Sequence, residues 1–237
     1  MARRVTLVKL LDLLRAEARL SINPAHNAQA RSSQVQLLQR LQDFYWEDFA
    51  WPHLRVKRQV PAQIGQRYYD LPADLPIDRV EGVEVFTNGA WIPLDPGISS
   101  VHYSAHNSDL DERSWPPRRW QINEDEDIEI WPVPDQNGDA TTLEGYIRFT
   151  GIRALRPLVD DADRADLDSQ MLSLFAAAEL LAASGGKDAQ VKLDRANARY
   201  LKLKSDLTPR RTINMFGVGE QPTKRRMAIT SYRVAGS

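Results

Sequence analysis

Between Gln66 and Phe86 the chain reads QRYYDLPADLPIDRVEGVEVF, two runs rich in β-formers on either side of a corner set by Pro72 and Pro76. Proline has no N–H to give to a ladder, so that corner cannot be part of a central strand. Gly82 reads as a bulge that resets the alternation between Val80 and the face shared by Val83 and Val85. Thr87-Asn88-Gly89-Ala90 then separates Phe86 from Trp91, and two central residues able to take positive φ favour a type I′ hairpin. A strand pair punctuated in this way commits the middle of the chain to a β-block, around which the other segments must pack.

The same period of two continues on both sides. Arg55 to Val60 alternates; Trp120 and Ile122 face Ile128 and Ile130 across a turn at Asn123 to Asp127; and Leu143, Gly145, Ile147 and Phe149 alternate with Glu144, Tyr146 and Arg148 as a last strand with one buried face. Ile98 to Pro117 is polar, ends in Trp115-Pro116-Pro117, and reads as a long loop.

Outside this block the period is helical. Leu7, Leu11, Leu14 and Ala18 predict a helix over about 6–20, and Asn23-Pro24 is either a break or the cap and first residue of the next helix. Val35, Leu38, Leu41, Tyr45 and Phe49 form the stripe of a second helix, ended by Trp51-Pro52 because the residue before proline is driven out of helical geometry. The aromatic cluster Phe44, Tyr45, Trp46, Phe49 and Trp51 suits a helix packed on a sheet better than a ligand platform. Asp160, Asp161 and Asp163 precede a helix whose buried stripe runs from Leu167 through Met171, Leu174 and Phe175, negative charge there suiting the positive end of the helix dipole. Ser184-Gly185-Gly186 stops it, and Lys187 to Asp206 follows as an antiparallel partner.

These patterns predict an α+β fold: an antiparallel helical bundle of N- and C-terminal helices (1–54 and 155–207), an inserted antiparallel β-module (55–154) and an extended C-terminal arm (208–237). A chain of 237 residues with 42% hydrophobic content can build a real core. No apolar run approaches the roughly 18 residues that suggest a membrane span, and the first twenty residues read as an amphipathic helix rather than a cleavable signal. Without cysteine there is no disulfide, thiol nucleophile or cysteine metal site.

Net charge is −1 but uneven: Asp95 to Thr141 holds eleven acids against three arginines, whereas Thr208 to Ser237 holds six basic residues and one acid. His26, His53, His102 and His106 fit no metal-ligand motif, and no cofactor fingerprint is present. Glu124, Asp125, Glu126 and Asp127 lack the spacing of a calcium loop and read as a solvated hairpin tip. The tail mixes Arg210, Arg211, Lys224, Arg225 and Arg226 with Ile213, Met215, Phe216 and Val218, which suits a partner groove with an acidic rim and apolar floor better than nucleic acid. Such an arm is expected to be mobile until its partner orders it.

Taken in order, the helix pair ending QDFYWEDFAW, the strand and corner YYDLPADLPIDRVEGVEVF, the hairpin ending IEIWPVP, the closing helices Asp163 to Asp206 and the extended tail resemble the head-to-tail adaptor (head-completion or connector) proteins of tailed bacteriophages. The resemblance covers most of the chain, with LPAD after an aromatic strand as its most suggestive motif and the loop from His102 to Trp115 as its main departure. It implies a non-enzymatic virion protein without cofactor or metal, in a twelve-copy homo-oligomeric ring between portal protein and tail, with a channel for double-stranded DNA. It further implies that the arm reaches the portal, that the β-module meets the next tail or neck protein, and that Glu124 to Asp127 face that component or the channel. Synthesis in the host cytoplasm and no membrane partner go with it. Two other classes compete: a cell-wall or carbohydrate module using Trp91, Trp115, Trp120 and Trp131 as sugar platforms with acids at the hairpin tip, and a plain DNA-binding protein, which the acidic middle disfavours.

Overall fold

The computed structural model describes residues 3–106 and 110–208, apart from the side chains at 24 and 27. Among these the fold is mixed α+β, with five α-helices and two largely antiparallel sheets.

α1 (Leu7–Glu17) opens after Thr6, and its leucines Leu7, Leu10, Leu11 and Leu14 are all buried. Asn23 caps a single 3₁₀ turn through the N–H of Ala25, so Asn23-Pro24 begins a short helical turn, and α2 (Arg31–Asp48) starts only at Arg31. Near the other end of the chain come α4 (Ser169–Ala183) and α5 (Ala189–Leu207), joined through Gly185 at φ 71. α4 is buried on nearly every side over its first ten residues, as a helix apolar all round must be. It therefore lies centrally, in contact with α1, α2 and α5. Ala176 and Ala177 are small enough to let those neighbours approach, while Phe175 stacks on Tyr45 of α2 at 4.5 Å.

The expected acid run is displaced from the start of α4. Asp163 accepts the N–H groups of Val159 and Asp160 in the preceding turn, and it is Asp168 that caps the helix at the N–H of Met171. α5 buries Ala196, Tyr200 and Leu203 but leaves Leu193 at the surface.

The first sheet has the order β1 (Arg55–Pro61), β8 (Tyr146–Ile152), β3 (Val80–Thr87), β4 (Ala90–Pro93), antiparallel throughout. The bulge lies where the ladder slips between Val80 and Gly82, and the hairpin closes with Asn88 at φ 52 and Gly89 at φ 75. β8 begins later than its alternation predicts, because Leu143 (φ 62) and Gly145 (φ 76) form the turn that leads into it. The second sheet has the order β2 (Tyr68–Tyr69), β7 (Ile128–Trp131), β6 (Arg119–Ile122), β5 (Asp95–Pro96). Its β6–β7 hairpin has the expected register, Trp120 opposite Ile130 and Ile122 opposite Ile128, but β5 runs parallel to β6, so the β-block is not purely antiparallel.

Ile98 to Pro117 is not loop throughout: Ser100–Ala105 is helix α3, entered by a capping box between Ser99 and His102. The reason is long-range. β7 is buried on both faces, Ile128 and Ile130 toward the sheet core and Glu129 and Trp131 away from it, and α3 supplies Tyr103 and the His102 carbonyl to that second face.

The buried side chains form two clusters. One gathers the helices with Trp51, Leu54 and Ile152; the other gathers Val83, Val85, Ile147 and Phe149 of the first sheet with Ile128, Ile130 and Tyr69 of the second. β8 serves both, Ile147 and Phe149 in the sheet core and Ile152 in the helical one. Trp46 fastens the junction: its Nε1 donates to the Arg153 carbonyl (3.1 Å), and the Arg79 guanidinium lies over its ring at 4.6 Å while donating to its carbonyl (3.1 Å).

Candidate functional site

Buried charges fix the surfaces that the described residues present. Glu129 is 2% exposed, a carboxylate in the middle of an apolar strand. Its two oxygens take Arg67 (Nε 2.8 Å, Nη2 2.7 Å), the Tyr103 hydroxyl (2.8 Å) and Gln121 Nε2 (2.8 Å). Arg67 in turn lies over the rings of Tyr103 (4.9 Å) and Trp131 (5.0 Å). One buried charge thus ties the β6–β7 hairpin to α3 and to the chain before β2.

That network includes the Gln121–Glu129 pair, one pair removed from the turn of the same hairpin, whose tip carries Glu124, Asp125, Glu126 and Asp127. Glu124 to Glu126 are exposed, and the turn is closed by Asn123 N–H to Asp127 O (2.9 Å) with Glu126 at φ 64. Partial loss of water, then a hydrogen bond and like charge from Asp70, with Asp125 adding to it, push the Asp127 carboxyl above its usual range. The tip is therefore a concentrated negative point on a rigid support, and Asp70 is a member of it that sequence order alone does not reveal. The other predicted site residues, Arg210, Arg211, Ile213, Met215, Phe216, Val218, Lys224, Arg225 and Arg226, lie outside the described residues.

Two further buried acids hold the helical part. Asp166 is gripped by Arg153 (Nη1 3.0 Å, Nη2 2.5 Å) and the Arg156 N–H (3.0 Å), and Asp168 adds Arg199 (Nη2 2.8 Å) to its helix cap. Asp48 takes the Tyr200 hydroxyl and Lys204 (3.0 Å), and these two bonds, the hydroxyl first, hold its carboxyl below the usual range. These acids carry a signal in retrospect: Glu129 interrupts an apolar strand, and Asp166 and Asp168 flank Leu167 beside a helix start.

The tryptophans named as sugar platforms are not an aligned exposed row. Trp131 is buried with its Nε1 on the His102 carbonyl (2.8 Å), Trp115 is half-buried on Glu144 (3.2 Å), and the face of Trp91 is covered by Arg148 at 4.0 Å. Trp120 is likewise half-buried, packed on the sheet core. The aromatic cluster at the end of α2 divides: Tyr45 packs among helices, Trp46 meets the sheet junction, and Phe44 is 61% exposed. Among the described residues no group of three or more His, Asp or Glu side chains could hold a metal ion, and no helix is long and apolar enough to cross a membrane.

No curated protein matches the chain. The family model described as SU10 adaptor protein matches residues 8–222, from α1 through α5 and into the basic tail. A match of that extent places this chain in the SU10 adaptor protein family, a family of phage head-to-tail adaptors.

Proposed function

We propose that this chain is a ring component of the neck of a tailed phage, joining portal to tail around a channel for double-stranded DNA. Family membership over residues 8–222 carries this reading, since it implies a structural adaptor role in the virion with portal and tail partners. In the proposal the helices of 1–54 and 155–207 form an antiparallel bundle as the ring body, and 55–154 is a module inserted in it. Copies, twelve of them, meet head to tail so that the ring closes without a free edge. Residues 208–237 dock on the portal through Arg210, Arg211, Lys224, Arg225 and Arg226 and the apolar side chains between them, and the module faces the next tail component.

Glu124 to Glu126, with Asp127 half-buried beside them, have the exposure and rigid support that a tail-facing or channel-facing surface needs. Facing the channel, they would repel passing DNA, a ring multiplying the potential of each tip by its copies. Size-exclusion chromatography with light scattering, with and without portal, tests the assembly. A closed ring on the portal is expected, and an isolated copy or open filament in virion micrographs refutes it. Deleting residues after Leu207 should leave a folded protein that no longer attaches to filled heads; infectious particles from that truncation would end the docking-arm idea.

A further inference from the structure

The first sheet ends on β1 at one side and on β4 at the other, and no strand among the described residues pairs beyond either. In an antiparallel pair, residues alternately turn their backbone groups to the neighbouring strand and away from it. Leu54 O accepts the Arg153 N–H and the Ala62 N–H donates to Gly145 O, so the outward set on β1 includes Arg55, Lys57 and Gln59. On β4 the Leu94 N–H donates to Val83 O, which leaves Trp91 and Pro93 turned outward. Lys57, Gln59 and Pro93 are exposed, and Trp91 is half-buried.

Neither edge accepts a strand at random. Pro93 has no N–H, that of Arg55 is already bonded to Pro52 O, and the Lys57 carbonyl takes Arg58 Nη1 at 3.4 Å. One antiparallel register between the two edges meets all of these conditions, with Trp91 opposite Gln59 and Pro93 opposite Lys57. Trp91 and Gln59 then exchange two bonds, the Lys57 N–H reaches Pro93 O, and the donor that proline lacks falls against an acceptor already served. Sliding by two residues one way aims Pro93 O at the spent N–H of Arg55; sliding the other way sets Trp91 against Pro61, which has none.

Direction, face and charge agree with that register. The four strands alternate in direction, so β4 runs antiparallel to β1, and copies side by side in one orientation continue the sheet. Ala90 comes opposite Val60 and Ile92 opposite Arg58, all on the core face, since Val60 pairs with buried Ile147 and Ile92 with buried Val85. β4 has no charged residue to oppose Lys57, and by the same count Asp95, just past its end, comes to the end of β1 that carries Arg55.

We propose that each edge is covered by a second copy of this chain, β4 of one copy adding to β1 of the next, so that the sheet runs on from copy to copy. This rests on the ring reading above and names its contact. Three backbone bonds are too few to hold two copies alone, so the pairing is expected on the portal, where assembly brings the edges together.

The test uses Val60→Cys with Ala90→Cys, in a chain that has no other cysteine. Opposed residues of a non-hydrogen-bonded pair lie about 4.5 Å apart at Cα, within reach of a disulfide, whereas in one copy β8 and β3 separate them by roughly 14 Å. Oxidising the portal-bound assembly should give a ladder of linked multimers on a non-reducing gel. Val56→Cys with Ala90→Cys, four residues out of register, should stay unlinked. Gln59→Pro deletes the N–H given to Trp91 O and spares the β8 ladder; it should keep the parent's circular dichroism and need about tenfold more protein, or greater, to assemble. A ring of full mass that does not cross-link, equal linking by both cysteine pairs, or unchanged assembly of folded Gln59→Pro overturns the edge pairing and leaves the ring. Linked chains that never close support the pairing and overturn the ring; neither ring nor link overturns both.

Discussion

Replacing Glu129 by alanine removes one acceptor from three donors at once. Breaking a buried ion pair by deleting one partner costs about 3–5 kcal/mol, because the other charge is left without compensation. Two features of the structure place the expected value at the lower end. The Arg67 side chain retains 30% exposure and recovers part of its hydration, and Gln121 Nε2 keeps its bond to the Tyr103 hydroxyl at 3.0 Å. A loss of about 3 kcal/mol follows, and at about 2–4 °C per kcal/mol for a chain of this size the melting temperature should fall by roughly 6–12 °C. Circular dichroism melts of parent and variant measure it. Glu129→Leu combined with Arg67→Met should lose less than Glu129→Ala alone, since no buried charge remains unpaired. A Glu129→Ala melt within about 2 °C of the parent would show that the carboxylate does not hold the hairpin, and the rigid support of the acidic tip would go with it.

Four other substitutions have definite expectations. Gly151→Ala would put a Cβ 2.3 Å from the Arg79 carbonyl oxygen and 2.8 Å from Leu75 Cδ1, so β8 must shift against β3; a loss of about 3 kcal/mol or more should appear in the urea midpoint. Gly89→Ala meets no atom within 4 Å, and its cost of about 1–2 kcal/mol comes from the positive φ alone; Asn88→Gly, measured in the same way, should be nearly neutral. The pKa of His53 is lower folded than unfolded, so the unfolded chain binds more protons as pH falls: its contribution is present above about pH 6.5 and is lost as pH drops through the folded value. Melting temperature followed from about pH 7.5 to about pH 5 should therefore fall less steeply in His53→Gln than in the parent, and equal slopes would remove His53 from the account.

What could be read from the sequence depended on how local its cause was. The Asn88-Gly89 hairpin, the Gly82 bulge and the Ile122–Ile128 register each follow from a few adjacent residues, and all three stand in the structure as read. α3 was illegible because nothing within Ile98 to Pro117 requires a helix; the requirement comes from Glu129 and Trp131, whose face has to be covered. The start of α4 was misplaced because five aspartates crowd residues 160–168, and spacing cannot tell which one reaches a helix N–H. The parallel β5–β6 pair rests on two residues and leaves no periodic trace. Of the candidate site, the acidic tip was visible as a charge run, whereas its neighbour Asp70 joins it only once distant segments meet.

β8 places Ile147 and Phe149 in one core and Ile152 in the other, and a strand is already close to its greatest length at about 3.3 Å per residue. A pull on the β-module along this strand cannot be absorbed by stretching it. The load passes to Ile152 and the helices, and the ladders to β1 and β3 on either side take it in shear, many hydrogen bonds at once rather than one after another. Trp46 and Arg79 add a cross-tie at the same level. The connection between the two cores is therefore a tensile member, stiff along β8 and weakest to forces that peel the sheet edge away from it.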